Sequence, residues 1–436
     1  MSESAHRPWS FDNLLLACAA GAAVAYAIAL AHMFAVHQWL VDAQGRPLVA
    51  DFLAMWSAGG LARGGAALSA YDAHLQHAAE VGALGHDFHG ALGWPYPPFF
   101  LFVAAGLAFL GYAQAFVVWT GATVAGYAAA IAAIAKNRAA VLLALAAPWT
   151  LADLFVGQNG FLTAALIGLV LLNLERRPIL SGVLLGLLTY KPQFGLLFPL
   201  ALAAGGHWRS FVWACATASF LIAFSDFVFG PPTFAAFLDL LPQTTQTLLD
   251  EGAVGWSKLQ SVYGLVRWLG LPDTAGWTAQ AAVTLACAGA VAWLWRSGSA
   301  PALKAAGLAV AALLATPYAF FYDLAVLAVA IAFLYRDRGF DRIEYGVLAL
   351  ALLGAGAFVF LPAPTGLIAN IAVAALIVRR IVLDVSLTAR RGACSNDGHG
   401  SPRFPASFSA RIRGGGGRKA RRCRDRLAST PDATPR

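Results

Sequence analysis

The apolar positions of this chain fall in long runs, and the polar ones cluster in the short breaks between them. The first run, at about 13–36, is long enough to cross a hydrocarbon core, which needs roughly 20 residues of helix. It is too long for the core of a signal peptide, so it reads as an uncleaved first helix. A mixed polar and amphipathic segment, 37–95, comes next. Further apolar segments lie at about 97–111, 113–135, 139–154, 160–174, 179–190, 193–205, 210–229, 276–295, 304–320, 323–335, 344–361 and 366–384. The pattern predicts an all-α, polytopic membrane bundle of about 11–13 transmembrane segments with a long first loop. Several segments are short. Pairs of these read as half-helices or re-entrant pieces, which lipid tolerates only where protein or water covers the open backbone.

Composition agrees with that reading. Of 436 residues, 59% are hydrophobic and 12% charged, against about 25% charged in soluble domains. The formal charge of +8 belongs to one end of the chain: residues 386–436 hold 12 Arg or Lys and 3 Asp or Glu, so the rest is close to neutral. We therefore divide the chain into a membrane domain, 1–385, and a basic tail, 386–436. The tail has too few large hydrophobes to fold alone and is expected to be disordered. Its arginines suit anionic lipid heads, and they lack the interleaved aromatics of a nucleic-acid platform. The five cysteines show neither a disulfide framework nor zinc spacing. No repeat of fixed period supports a duplicated transporter.

Orientation follows from the basic residues. Arg176–Arg177, Arg209, Arg296 with Lys304, Arg336, Arg338 and Arg342, and the tail all fit the cytoplasmic side. Gln158, Lys191, the 230–275 loop and Tyr322–Asp323 then fall on the opposite side. Lys136 and Arg138 are undecided: two crossings within 97–138 put them outside, and one puts them inside.

Ionisable residues beside apolar runs are few, and each is a functional candidate because burying charge is costly. Asp51 opens the first loop beside Phe52, Leu53 and Trp56. Tyr71–Asp72 and Tyr96-Pro97-Pro98 follow. Asp153 with Gly157-Gln158-Asn159 breaks one apolar stretch, Tyr190-Lys191-Pro192 a second, and Tyr322–Asp323 a third. Each also has a plainer reading: Asp51 or Asp323 as a helix cap, the Gly-Gln-Asn run as a turn, and Lys191 as a snorkelling side chain. His74 and His77, and His86 and His89, form i,i+3 pairs that with Asp72 and Asp87 have the ligand types of a divalent-metal site. No zinc motif accompanies them, so the reading is of no metal.

Taken in order, Asp51-Phe52 with Trp56, Tyr71-Asp72, Tyr96-Pro97-Pro98, Gly157-Gln158-Asn159, Gly182 and Gly186 leading to Lys191-Pro192, and Tyr322-Asp323 resemble glycosyltransferase family 87. The resemblance spans about 51–327 and lies in the order of the breaks at helix ends, since no single motif is specific. It implies a bundle of GT-C type and a polyprenyl-phosphate-mannose-dependent α-mannosyltransferase in the plasma (inner) membrane, with its site on the extracytoplasmic face. The donor would be a polyprenyl-phosphate-sugar and the acceptor a lipid or glycan, with no cofactor. By the same resemblance Asp51 matches the catalytic acid of the first extracytoplasmic loop. Some relatives carry a histidine where this chain has Tyr322-Asp323.

The chemistry fits these residues. A phosphate-linked sugar brings its own leaving group, so the enzyme needs one base for the acceptor hydroxyl and cations for the departing phosphate. Asp51 is the expected base. Lys191 is the first expected cation, with Arg267 and Lys258 after it. Tyr71, Asp72, Tyr96, Gln158, Asn159, Tyr322 and Asp323 are expected around sugar or acceptor. Direct attack with a single carboxylate base inverts the anomeric centre. The competing readings are a transporter or flippase of lipid-linked glycans, and an assembly subunit without chemistry.

Overall fold

A computed structural model describes residues 11–90 and 92–396. Every apolar segment named above is helical. Among the described residues there is no strand, only two isolated bridges, Val41 to Pro47 and Leu259 to Phe320. The chain divides into Met1–Ile377 and Val378–Arg436. The last helix runs on to Asn396, so the first residues assigned to the basic tail are helical, and 397–436 lie outside the described residues.

Among the described residues, six helices are long and apolar enough to cross a membrane, and a seventh span arises if a pair bent by 61° counts as one. Five further apolar helices among the described residues have 10–17 residues. They match the short segments of the sequence, which fall below the roughly 20 residues that a full crossing requires.

The bundle has two ends, defined by which residues meet there. Helix α1 (Phe11–Ala35) reaches the end that carries Asp51, where Trp39 Nε1 donates to the Phe155 carbonyl at 2.8 Å. α2 (Asp51–Arg63) and α3 (Ala73–Leu84) build the first loop there. A 3-10 turn at Pro98–Phe100 and the short α4 (Leu101–Leu107) stay at the same end. Phe100 stacks on Tyr190 at 4.6 Å, and just past α4 the Leu110 carbonyl accepts from Trp56 Nε1 at 3.1 Å. Only α5 (Tyr112–Ala135) then leaves, starting with Tyr112 against Phe52 at 5.5 Å. One departure within 97–138 thus puts Lys136 and Arg138 at the opposite end and resolves the parity that the sequence left open.

α6 (Arg138–Leu145) and α7 (Pro148–Val156), the bent pair, return to the Asp51 end. α8 (Gly160–Asn173) departs, α9 (Pro178–Leu187) returns, and α10 (Pro192–Gly195) with α11 (Phe198–Ala204) departs again. α12 (Trp208–Phe229) comes back to α13 (Pro231–Thr245) and α14 (Val262–Trp268). The remaining helices alternate: α15 (Asp273–Arg296), α16 (Pro301–Leu314), α17 (Ala325–Asp337), α18 (Arg342–Gly356) and α19 (Gly366–Asn396). At the far end, Asn137 Nδ2 donates to the Tyr335 hydroxyl at 2.9 Å, Arg336 reaches the Ile134 carbonyl at 3.4 Å, and His207 stands 3.7 Å from Glu175.

Close packing explains two of the glycines noted in the sequence. A Cβ on Gly182 would lie 2.5 Å from the Ser210 carbonyl oxygen, and one on Gly186 would lie 2.4 Å from Thr217 Cβ. The pair lets α9 sit directly on α12, the small-residue contact by which helices associate in lipid.

Candidate functional site

A cavity of about 610 Å³ opens at the Asp51 end. Its wall draws on the first loop, the α7–α8 turn, the α9–α10 break, α13 with the loop after it, and the α16–α17 connection. Asp51, Tyr96, Gln158, Asn159, Lys191, Lys258 and Tyr322 all line it. Residues separated by more than 250 positions in the chain thus share one chamber, in the order the sequence listed them.

The α7–α8 turn is the centre of the site. α7 ends because Gly157 adopts φ +67°, a left-handed conformation that glycine takes without a Cβ penalty. A Cβ there would also strike the Phe116 ring at 2.5 Å and Phe52 Cβ at 2.9 Å. Trp119 Nε1 donates to the Gly157 and Gln158 carbonyls at 3.1 and 3.3 Å, which fixes the turn from α5. Gln158 is thereby turned toward Asp51, and its Nε2 donates to Asp51 Oδ2 at 2.9 Å. The Tyr96 hydroxyl donates to Gln158 Oε1 at 3.3 Å and accepts from Asn159 Nδ2 at 2.9 Å. Behind them the Tyr190 hydroxyl donates to the Asn159 carbonyl at 3.1 Å.

Asp51 is partly buried at the first position of α2. Burial pushes its carboxyl above the ordinary range, while the Gln158 hydrogen bond and the charges of Lys258 and Lys191 act in the opposite direction without cancelling it. A carboxylate raised in this way is a better proton acceptor than a solvated one.

Lys191 is placed differently from its expected part. It is 5% exposed, and its Nζ lies 2.8 Å from Asp323 Oδ1 in a buried ion pair. The second Asp323 oxygen accepts the Phe320 N–H at 3.0 Å, and the ammonium sits 5.0 Å from the centre of the Tyr322 ring. Asp323 stands behind the wall rather than in it. Lys258 lines the cavity and has no ion pair among the described residues.

Three other expected site residues lie elsewhere. Asp72 caps α3, accepting from the His74 and Leu75 amides at 2.9 and 3.0 Å, which is the plain use of an Asp at that position. Arg267 lies over the Trp256 ring at 4.4 Å and donates to the Asp250 and Leu271 carbonyls at 3.0 and 3.1 Å. It braces the second loop and is not among the residues that line the cavity. Tyr71 is buried outside the lining, its hydroxyl donating to the Tyr96 carbonyl at 2.9 Å. The histidine pairs do not converge: His77 Nε2 meets Asp87 at 3.1 Å, and its other nitrogen lies 3.8 Å from Glu80. Among the described residues, no three His, Cys, Asp or Glu side chains are gathered to hold a metal ion.

Sequence reasoning noted the Thr316-Pro317-Tyr318 break but missed the rest of the wall supplied by α13 and the late connection, namely Thr244, Thr245, Phe320 and Phe321. The Thr245 and Tyr318 hydroxyls, 2.6 Å apart, join α13 to the late connection, and the isolated Leu259–Phe320 bridge with the Gln260 N–H bonded to the Ala319 carbonyl at 2.6 Å ties the loop before α14 to it. That pairing has no local signature. The amide-rich turn, the tyrosines and Lys258 form the polar part of a chamber whose remaining wall is largely apolar.

The model of glycosyltransferase family 87 matches residues 94–317, about half of the chain, and the protein belongs to that family. It is a membrane glycosyltransferase. Gln158, Asn159, Lys191 and Lys258 fall inside the matched stretch, whereas Asp51 precedes it and Tyr322 follows it. No curated protein and no solved structure matches the chain.

Proposed function

We propose that the protein transfers a hexose, mannose first among candidates, from a polyprenyl-phosphate-sugar to a lipid or glycan acceptor, with inversion and with Asp51 as general base in a GT-C-type bundle. The observation that carries this reading is the Asp51–Gln158 hydrogen bond inside a cavity that Lys258 and Lys191 also line. In the step, the acceptor hydroxyl oxygen forms a bond to the anomeric carbon as its proton passes to Asp51. The bond from that carbon to the phosphate oxygen breaks, and polyprenyl phosphate leaves with the electron pair. Its growing charge calls for a nearby cation. Lys258 is the first choice, because the charge of Lys191 is already matched by Asp323. Gln158, Asn159, Tyr96 and Tyr322 offer hydrogen-bonding groups for sugar hydroxyls.

The side of the membrane follows from charge. Lys136, Arg138, Arg176, Arg177, Arg209, Arg296, Lys304 and Arg336 all fall at the end opposite the cavity, by the helix directions described above. By the positive-inside rule this distribution supports a cytoplasmic position for that end and a cavity on the extracytoplasmic face of a plasma (inner) membrane.

The test is transfer by purified protein from polyprenyl-phosphate-mannose to a panel of glycolipid acceptors. Asp51→Asn should abolish product while the variant accumulates normally in the membrane. Wild-type turnover in that variant would remove Asp51 as the base.

A further inference from the structure

Asp153 is 1% exposed, lies near the C-terminal end of α7 and does not line the cavity, yet it grips both sides of the turn that presents Gln158. Its backbone carbonyl accepts the Gly157 N–H at 2.9 Å and closes α7. Its carboxylate Oδ2 accepts the Phe161 N–H at 2.8 Å and so satisfies the first turn of α8. That second bond is ordinarily the work of the residue at the N-cap, where Asn is among the preferred types because its side chain takes a first-turn amide. Here the N-cap is Asn159, and its side chain makes no cap bond. Its Nδ2 instead donates to the Tyr96 hydroxyl, which donates onward to Gln158 Oε1. Gly160 leaves room for this arrangement: a Cβ there would stand 2.7 Å from Asp153 Oδ2 and 2.4 Å from the Tyr322 carbonyl oxygen.

We propose that Asp153 is a positioning residue for the transfer reaction: by capping α8 in place of Asn159, it frees Asn159 to hold Tyr96 and Gln158, and so aims the Gln158 amide at Asp51. Without the carboxylate, the Asn159 side-chain oxygen, buried with no partner among the described residues, is an acceptor at hand for the bare α8 amides. Turning back to cap the helix withdraws it from Tyr96 and releases Gln158. The inference rests on the general-base role proposed for Asp51.

The test is the pH profile of kcat/KM for transfer from polyprenyl-phosphate-mannose. Besides Gln158, the groups facing Asp51 are Lys258, Lys191, Tyr96, Tyr112 and Tyr322, and they remain in every variant. Removing a donor from a carboxylate raises its pKa. Asp153→Ala should therefore move the acid limb upward by on the order of one pH unit, the shift expected from losing one hydrogen bond to a charged group. Asp153→Asn, whose carbonyl oxygen still accepts the Phe161 N–H, should keep the limb at the wild-type position. Gln158→Ala should reproduce the Asp153→Ala limb, and the double variant should move it no further, because the two act through one contact.

An unshifted limb in Asp153→Ala overturns the proposal, as does an equal shift in Asp153→Asn, which would trace the effect to charge. If Asp153→Ala does not accumulate, Asp153→Ser, too short to reach the Phe161 amide, takes its place, and the Asp153→Asn result still decides between capping and charge. Should Asp51→Asn retain transfer, the reading of the base fails. Should Asp51→Asn be inactive while Asp153→Ala keeps the wild-type limb, only this inference fails.

Discussion

The buried pair of Lys191 and Asp323 allows a quantitative test. With 2.8 Å between Nζ and Oδ1, and an effective dielectric of about 20, the Coulomb attraction is about 6 kcal/mol. Desolvation costs several kcal/mol for each ion, so the intact pair adds little net stability. Removing one partner is another matter. Lys191→Met leaves the Asp323 carboxylate buried with the Phe320 amide as its remaining described donor, and breaking a buried pair in this way costs about 3–5 kcal/mol. Asp323→Asn should cost less, since the freed ammonium keeps the Tyr322 ring at 5.0 Å and borders the cavity. In the double variant Lys191→Met with Asp323→Asn no charge is stranded, and a coupling of about 1–3 kcal/mol should appear as a double variant more stable than the two losses added together. The assay is reversible unfolding by SDS titration in mixed micelles, followed by tryptophan fluorescence. Lys191→Met within about 1 kcal/mol of wild type, or strict additivity, would show that the pair does not carry the charge balance argued from its geometry.

Three further outcomes are expected. Transfer should fall as pH drops through the Asp51 pKa, because a base must be ionised to accept a proton; burial raises that pKa, so the acid limb should lie above the ordinary carboxylate range near pH 4, and a limb at or below that range would count against the assignment. Lys258→Ala should raise the KM for the donor by roughly tenfold, the worth of one charge-assisted contact, with Lys258→Arg recovering part of the loss; unchanged donor KM in the alanine variant would exclude the phosphate contact. Gly186→Leu should destabilise the bundle by about 1–3 kcal/mol through overpacking, since even a Cβ would lie 2.4 Å from Thr217 Cβ; retained thermal stability in detergent would show that α9 and α12 separate freely.

Much of this was legible in the chain itself. Apolar run length located the helices, because lipid imposes both length and composition on them. Asp51, Gln158, Lys191 and Tyr322 could be named in advance because charged or amide groups beside apolar runs are costly and therefore sparse. What those residues touch was not legible. The Lys191–Asp323 pair and the Leu259–Phe320 bridge join positions far apart in the chain, and neither leaves a local pattern. Asp72 and Arg267 were misplaced for a related reason: capping a helix or bracing an aromatic ring uses the same residue types as binding a sugar or a phosphate. The destination of Lys136 also needed the fold, since the apolar segment 97–111 yields only the short α4, which stays at the Asp51 end, with Phe100 against Tyr190 at its start and Leu110 bonded to Trp56 after it.

The 132 positions between Lys191 and Asp323 also impose a schedule on biosynthesis. At about 5–20 residues per second, a ribosome takes on the order of ten seconds after adding the lysine before it adds the aspartate. Throughout that interval the nascent bundle holds an ammonium with no native counter-ion, a defect that membrane quality control is suited to detect. Chains truncated before residue 323 should accordingly be short-lived in pulse-chase experiments, and those extending past α17 should persist.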